Sequence, residues 1–294
     1  MVGQTFEVPH VLLQAWPTTK TCIWALFLSH LYTFYECIKP YYYGEKMDLK
    51  KQPDFFGIIP ARYDSTRLPG KPLADICGKP MIWHVYNRAL KCDFFKKVVL
   101  ATDDDRIFSV AESLGIEVVM TKKDHPSGSD RVLEAATLLN VPDDSVVVNI
   151  QGDEPLLEPE ILNELIRPFE NPDVLVTTPA NIIDASEADN SNRVKIVLSN
   201  TNRALYFSRS LIPFPRNDSE GKYYGHIGLY AFRMKALQNF VSLETGRLEG
   251  IEKLEQLRLL ENDIPIHVVI TDHKSIGVDS PEDLERVISI IEAG

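Results

Sequence analysis

Phe55-Phe-Gly-Ile-Ile59-Pro-Ala-Arg62-Tyr-Asp-Ser-Thr-Arg67-Leu-Pro-Gly70-Lys71-Pro-Leu73 runs from an apolar segment into a loop that carries three cations. Phe55 to Ile59 reads as a buried strand, and the loop after it is stiffened by prolines around Gly70. Arg62, Arg67 and Lys71 at the carboxyl end of a first strand set fixed positive charge and backbone N–H groups where a polyphosphate can lie. The segment is not a P-loop, because Pro72 follows the Gly–Lys pair where Ser or Thr would be needed. A solvated basic loop is the plain alternative.

The chain around this segment has 294 residues, a net charge of −11 and 44% apolar residues, which suits one sizeable α/β domain or two small ones. The acidic balance argues against nucleic acid as a partner, so an anionic substrate must be met by local basic clusters or by metal. Cys22, Cys37, Cys77 and Cys92 show no metal or disulfide spacing, which fits a reducing compartment. Residues 1–46 read as an extension outside the functional domain, residues 47–294. The aromatic run Cys22 to Tyr35 is interrupted by Ser29 and His30 and is short for a bilayer span, so no stable membrane insertion is expected.

Downstream, Met81 to Leu90 has helical spacing, Lys97 to Thr102 reads as a strand, and Asp105 to Leu114 reads as a helix closed by Gly115. Glu117 to Met120 and Ser145 to Ile150 are further strands, separated by a helix from Asp130 to Leu139. Alternation at this pitch predicts a parallel sheet with helices on both faces. Beyond Pro172, strands are expected at Lys195–Leu198, Ala204–Ser208, Ile227–Phe232 and Ile266–Thr271, and helices at Arg247–Glu261 and Pro281–Glu292. This second half reads as a smaller mixed-sheet lobe of the same domain.

Gln151-Gly-Asp153-Glu-Pro155 follows the 145–150 strand directly. A carboxylate at such a strand end points into the ligand crevice of an open α/β sheet, and Asp153 beside a polyphosphate loop is a natural Mg²⁺ ligand. A capping turn is the competing explanation. Asp279 in Gly277-Val-Asp279-Ser-Pro-Glu-Asp283 precedes a helix in the same way, although Ser280 and Pro281 are also a helix-capping arrangement. Ser127-Gly128-Ser129-Asp130-Arg131 can approach a planar base, or cap a helix through Ser129. Arg209 offers a guanidinium fork suited to a carboxylate.

Taken in order, Arg62 to Leu73, Ser127 to Arg131, Gln151 to Pro155, Tyr206-Phe-Ser-Arg209 and Leu254-Glu-Gln-Leu-Arg258 resemble the 3-deoxy-manno-octulosonate (Kdo) cytidylyltransferase family. The resemblance covers about Phe56 to Glu292. It implies an α/β fold with a doubly wound, mostly parallel, Rossmann-like sheet. It implies CTP and Kdo as substrates, Mg²⁺ as cofactor, a homodimer and a cytoplasmic enzyme. Carried over residue by residue, it makes Arg62, Arg67, Lys71 and Asp153 catalytic and Asp153 with Asp279 the metal pair. It assigns the nucleotide to Ala61, Arg62, Lys71, Ser127, Gly128, Arg131 and Gln151. The sugar falls to Arg209, His226, Tyr230, Glu255 and Gln256. Arg247 stands where many members have proline, so it is expected to bear on the choice of acceptor. An 8-amino octulosonate, a sialic acid, or a catalytically silent nucleotide-binding role are the alternatives.

Overall fold

The computed structural model describes residues 52–64, 67–216, 222–274 and 276–293. The expected extension, residues 1–46, therefore lies outside the described residues.

Strand β1 (Phe55–Ala61) forms where the apolar run predicts it, and its residues are almost all buried. A small hairpin of β2 (Asp75–Ile76) and β3 (Lys79–Pro80) follows. Then come α1 (Met81–Ala89), β4 (Phe95–Thr102), α2 (Asp105–Ser113), β5 (Val118–Met120), α3 (Gly128–Leu138) and β6 (Val146–Asn149). Strands β5, β4, β1 and β6 are neighbours in that order and all run parallel. Helix α2 ends as expected, with Gly115 at φ +69 after Leu114. Helix α3 begins two residues earlier than its sequence pattern suggests. Ser127, and not Ser129, is the cap, its hydroxyl accepting from the backbone N–H groups of Ser129 and Asp130.

After α4 (Pro159–Ile166) the sheet continues through β7 (Val176–Ile183), α5 (Ala185–Asp189), β8 (Lys195–Leu198), β9 (Ala204–Ser208), β10 (Tyr223–His226) and β11 (Tyr230–Arg233). Helices α6 (Met234–Ser242), α7 (Arg247–Glu252) and α8 (Leu257–Glu261), strand β12 (Ile266–Ile270) and helix α9 (Pro281–Ala293) complete it. Strand β11 pairs antiparallel with β6, so the mixed lobe extends the parallel sheet edge to edge. Helices cover both faces. Ile82 and Val85 of α1, Ile107 of α2 and Leu162 of α4 pack with Ile59, Leu100 and Val148. Val132 and Ala135 of α3 and Leu237 of α6 pack with Ile58, Ala101 and Val147 on the other side. This is the doubly wound arrangement that the strand–helix alternation predicts.

Two expected elements are broken. Ile227–Phe232 is not one strand, because the chain steps out between β10 and β11, opposite Thr178 and Pro179 of β7. Proline contributes no ladder donor, and the Ile227 N–H instead donates to the Pro179 carbonyl at 3.0 Å. Arg247–Glu261 is likewise two short helices, since Lys253 turns left-handed at φ +53. The same proline hid β7 from the sequence pattern, although that strand lies at the centre of the second half.

Candidate active site

The loop after β1 returns through Gly70, whose φ of +70 suits glycine, and enters a 3₁₀ turn at Lys71–Leu73. This turn sends Lys71 under the tip of β6. Its Nζ donates to Asp153 Oδ2 at 2.6 Å, to Asp279 Oδ1 at 3.1 Å and to the Val278 carbonyl at 3.0 Å. Arg67 reaches the other oxygen of Asp279 at 2.9 Å. The Val278 N–H donates to the Asp153 carbonyl, so the two acidic segments, far apart in sequence, are stitched together by backbone as well. Burial alone would lower the Lys71 ammonium, but Asp153 and Asp279 outweigh it and its pKa is raised. Ser280 caps the helix as expected, its hydroxyl accepting from the Asp283 N–H, while the Asp283 carboxylate accepts from the N–H groups of Asp279 and Ser280. The Asp279 carboxylate is thereby left to face Lys71.

Above this pair lies a hollow of about 390 Å³ lined by Ala61, Arg62, Arg67, Lys71, Gly128, Gln151 and Asp153. Arg62, on the wall of the hollow, donates to the His125 carbonyl at 3.0 Å, and burial lowers its pKa. Gln151 donates to the Gly228 carbonyl at 2.9 Å. The floor is tight, because a Cβ on Gly152 would meet the Pro60 carbonyl oxygen at 2.7 Å. A larger groove of about 830 Å³ runs along β12 past Arg167, Arg203 and His267, but none of the expected site residues lines it.

Arg131 departs from its expected place. Its side chain is fully buried and donates to Asp103 Oδ2 at 2.9 Å and Thr121 Oγ1 at 2.6 Å, so it braces α3 and does not line the hollow. Ser127 is engaged as the cap of α3 and donates to Asp130. Ser129 reaches instead into the second lobe, donating to Glu255 Oε2 at 3.2 Å.

The expected acceptor residues gather on the antiparallel strands. The ring of His226 lies between those of Phe207 and Tyr230, its Nε2 3.0 Å from the Thr178 hydroxyl. Burial, with a contribution from Arg193, pushes His226 down to about 3, so the ring is neutral at ordinary pH. Burial also raises Tyr230 and Glu255. Arg209 Nε donates to the Glu252 carbonyl at 2.9 Å, and its other nitrogens reach the Ser191 and Lys253 carbonyls at 3.4 Å. The guanidinium thus closes the carboxyl end of α7 while its outer donors are only loosely held. Arg247 sits exposed at the opposite end of α7, and Glu249 pairs with Arg258 at 2.6 Å.

Three contributors had little sequence signal. Asp103 was visible only as part of an acidic run, Asn149 looks like an ordinary strand residue, and Thr178 lies in β7, the strand that the sequence pattern hid. Asn149 lies directly opposite Tyr230 in the β6–β11 register. Its Oδ1 and the Nε2 of Gln256 are buried without a hydrogen-bond partner among the described residues. The two carboxylates of Asp153 and Asp279 offer hard oxygen donors to one cation position, now taken by the Lys71 ammonium. No three His, Cys, Asp or Glu converge among the described residues, so Mg²⁺ here would need phosphate or water oxygens to complete its shell.

Residues 56–272 match the model of a family described as cytidylyltransferase. A protein of Nitratidesulfovibrio vulgaris named 3-deoxy-manno-octulosonate cytidylyltransferase is 56% identical over 241 residues, covering 80% of this chain and 95% of that one. A Shewanella protein named 8-amino-3,8-dideoxy-manno-octulosonate cytidylyltransferase is 45% identical, over 81% and 98%. Among solved structures, a CMP:2-keto-3-deoxy-manno-octonic acid synthetase complexed with CTP superposes with a TM-score of 0.78 at 42% identity. It covers 82% of this chain and 99% of that one.

Proposed function

The chain belongs to the cytidylyltransferase family, and on that premise we propose that it transfers CMP from CTP to the anomeric hydroxyl of Kdo. The products are CMP-Kdo, an activated sugar for lipopolysaccharide synthesis, and pyrophosphate. The observation that carries the reading is the convergence of Lys71, Asp153, Asp279 and Arg67 at the mouth of the hollow that Arg62 and Gln151 line.

In the reaction the anomeric oxygen forms a bond to the α-phosphorus while the bond from that phosphorus to the bridging oxygen of the β-phosphate breaks. The hydroxyl proton passes to solvent water as the new bond forms. Such transfer depends on positioning and on neutralising charge. Arg62, Arg67 and Lys71 supply fixed positive charge along the triphosphate, and Gly128 and Gln151 face the nucleoside. Asp153 and Asp279 would hold Mg²⁺, which when bound neutralises phosphate charge and fixes its orientation. Arg209, with two donors loosely held, suits the acceptor carboxylate, while Tyr230, Glu255 and Gln256 suit its hydroxyls.

An 8-amino acceptor is the second reading, prompted by the Shewanella relative. Pyrophosphate release with CTP and Mg²⁺ is measured for Kdo, 8-amino-Kdo and a sialic acid. Kdo is expected to give the highest kcat/KM. A higher value for either other acid would replace the acceptor, and no release with any of them would overturn the reading. Among the described residues no helix is long and apolar enough to cross a membrane. A cytoplasmic homodimer whose catalytic domain is residues 47–294 completes the proposal. The family match beginning at residue 56 supports that boundary.

A further inference from the structure

The cation loop has a neck, and a residue from outside the loop holds it. Tyr63 and Gly70 stand just inside Arg62 and Lys71, and the Gly70 N–H donates to the Tyr63 carbonyl at 2.9 Å. The Tyr63 ring lies against Gly70 so closely that a Cβ there would meet Cζ at 3.0 Å. Arg106, on the first turn of α2, stacks its guanidinium over the ring with Cζ 3.2 Å from the centroid. Asp104 fixes that guanidinium in a fork, accepting from Nε at 2.9 Å and from Nη2 at 2.6 Å. Asp104 is itself the N-cap of α2, so the fork is tied to the tip of β4.

We propose that Arg106 is a positioning residue, latching the neck of the loop through the Tyr63 ring and so fixing the spacing of Arg62 and Lys71 for a nucleoside triphosphate. The inference rests on the nucleotide reading above but not on the identity of the acceptor. Arg106 belongs to the second strand–helix unit, and it holds the Tyr63 ring and the Asp104 carboxylate and not the metal pair. A guanidinium is planar, and one oriented by a carboxylate fork is well suited to lie flat on an aromatic face. With the ring pressed between Gly70 and Arg106, the residues on either side of the neck cannot spread.

The test is calorimetric titration of the full-length protein with CTP and Mg²⁺ in the absence of any acceptor, so that a wrong acceptor cannot disturb it. If the wild type itself bound no CTP, the nucleotide reading would fail and not the latch. Arg106→Gln is expected to weaken CTP by about threefold or more, and Tyr63→Leu by about tenfold, with thermal midpoints near the wild type. Arg106→Lys keeps a cation over the ring and should bind more tightly than Arg106→Gln. Because Arg106 acts only through the ring, Arg106→Gln should add nothing to Tyr63→Leu. Three results would each overturn the latch. They are CTP affinity in Arg106→Gln within about threefold of wild type, a loss in Arg106→Lys as large as in Arg106→Gln, and full additivity in the double variant.

Discussion

The half of the site built around Lys71 takes its charged groups from loops beyond the carboxyl ends of parallel strands, whereas the half proposed for the acceptor takes Arg209, His226 and Tyr230 from the ends of antiparallel strands. In the first half, cations meet carboxylates directly, as Lys71 meets Asp153 and Asp279. In the second, polar groups are held by backbone or by buried neighbours, as Arg209 is by the α7 carbonyls and His226 is by Thr178. A change of charge should therefore damage the first half most, while the second should respond to shape and to burial. Ser129, next to Gly128 of the hollow, links the two halves through a hydrogen bond to Glu255.

The largest effect is expected where charge alone is removed. Asp153→Asn keeps the volume of the side chain and should lower kcat by about a hundredfold or more with little change in thermal midpoint, roughly 2.7 kcal/mol or more of barrier. Asp279→Asn should follow it at saturating Mg²⁺. Retention of more than about a tenth of wild-type rate in either variant would remove that carboxylate from the metal pair.

Gly152→Ala tests shape inside the charged half. A Cβ cannot sit 2.7 Å from the Pro60 carbonyl oxygen, so the tips of β6 and β1 must part. The expected cost is about 1–3 kcal/mol of stability, read from denaturant midpoints, together with a lower kcat because Asp153 moves with the backbone. An unchanged midpoint would mean that this floor yields freely.

Arg209→Lys asks the same question of the other half. It preserves charge and loses the planar fork, so KM for the sugar acid should rise about tenfold, roughly 1.4 kcal/mol, with KM for CTP within about twofold. A shift confined to CTP would move Arg209 into the triphosphate site.

A pH dependence of stability is also expected at His226. Its folded pKa of about 3 lies below the ordinary value of 6.5, so below that value the unfolded chain binds a proton that the folded chain refuses. The stabilisation is fully present above pH 6.5 and is lost as the pH falls toward about 3. In His226→Asn the decline of the thermal midpoint as the pH is lowered from 6.5 should be shallower than in the wild type. Equal slopes would show that the ring is not kept neutral by burial.

Legibility in the sequence divides along the same line. Strand β1, the cation loop and Asp153 could be read directly because a parallel strand buried on both faces is a continuous apolar run, and its ligand loop follows at once. Strand β7 could not be read, since Pro179 interrupts a strand whose proline is tolerated only because β10 and β11 part opposite it. Arg131 shows the complementary failure. A cation after a Ser–Gly loop looked like a nucleotide contact, yet its distance from Asp103 is a property of where β4 and α3 meet.

By itself the sequence determined the order of strands and helices in the first half apart from the β2–β3 hairpin and α4, the chemical character of the loops at their ends, and a resemblance specific enough to identify the family. Periodicity, turn residues and charge are local, and they survive in one dimension. Only the tertiary structure decided that Asp153 and Asp279 meet at Lys71 and that Arg131 is a brace. It alone decided that α7 stops at Lys253 under the hold of Arg209, and that Arg106 reaches Tyr63. Each depends on the packing of segments separated along the chain, where burial and geometry choose the partner for a charge that the sequence can only supply.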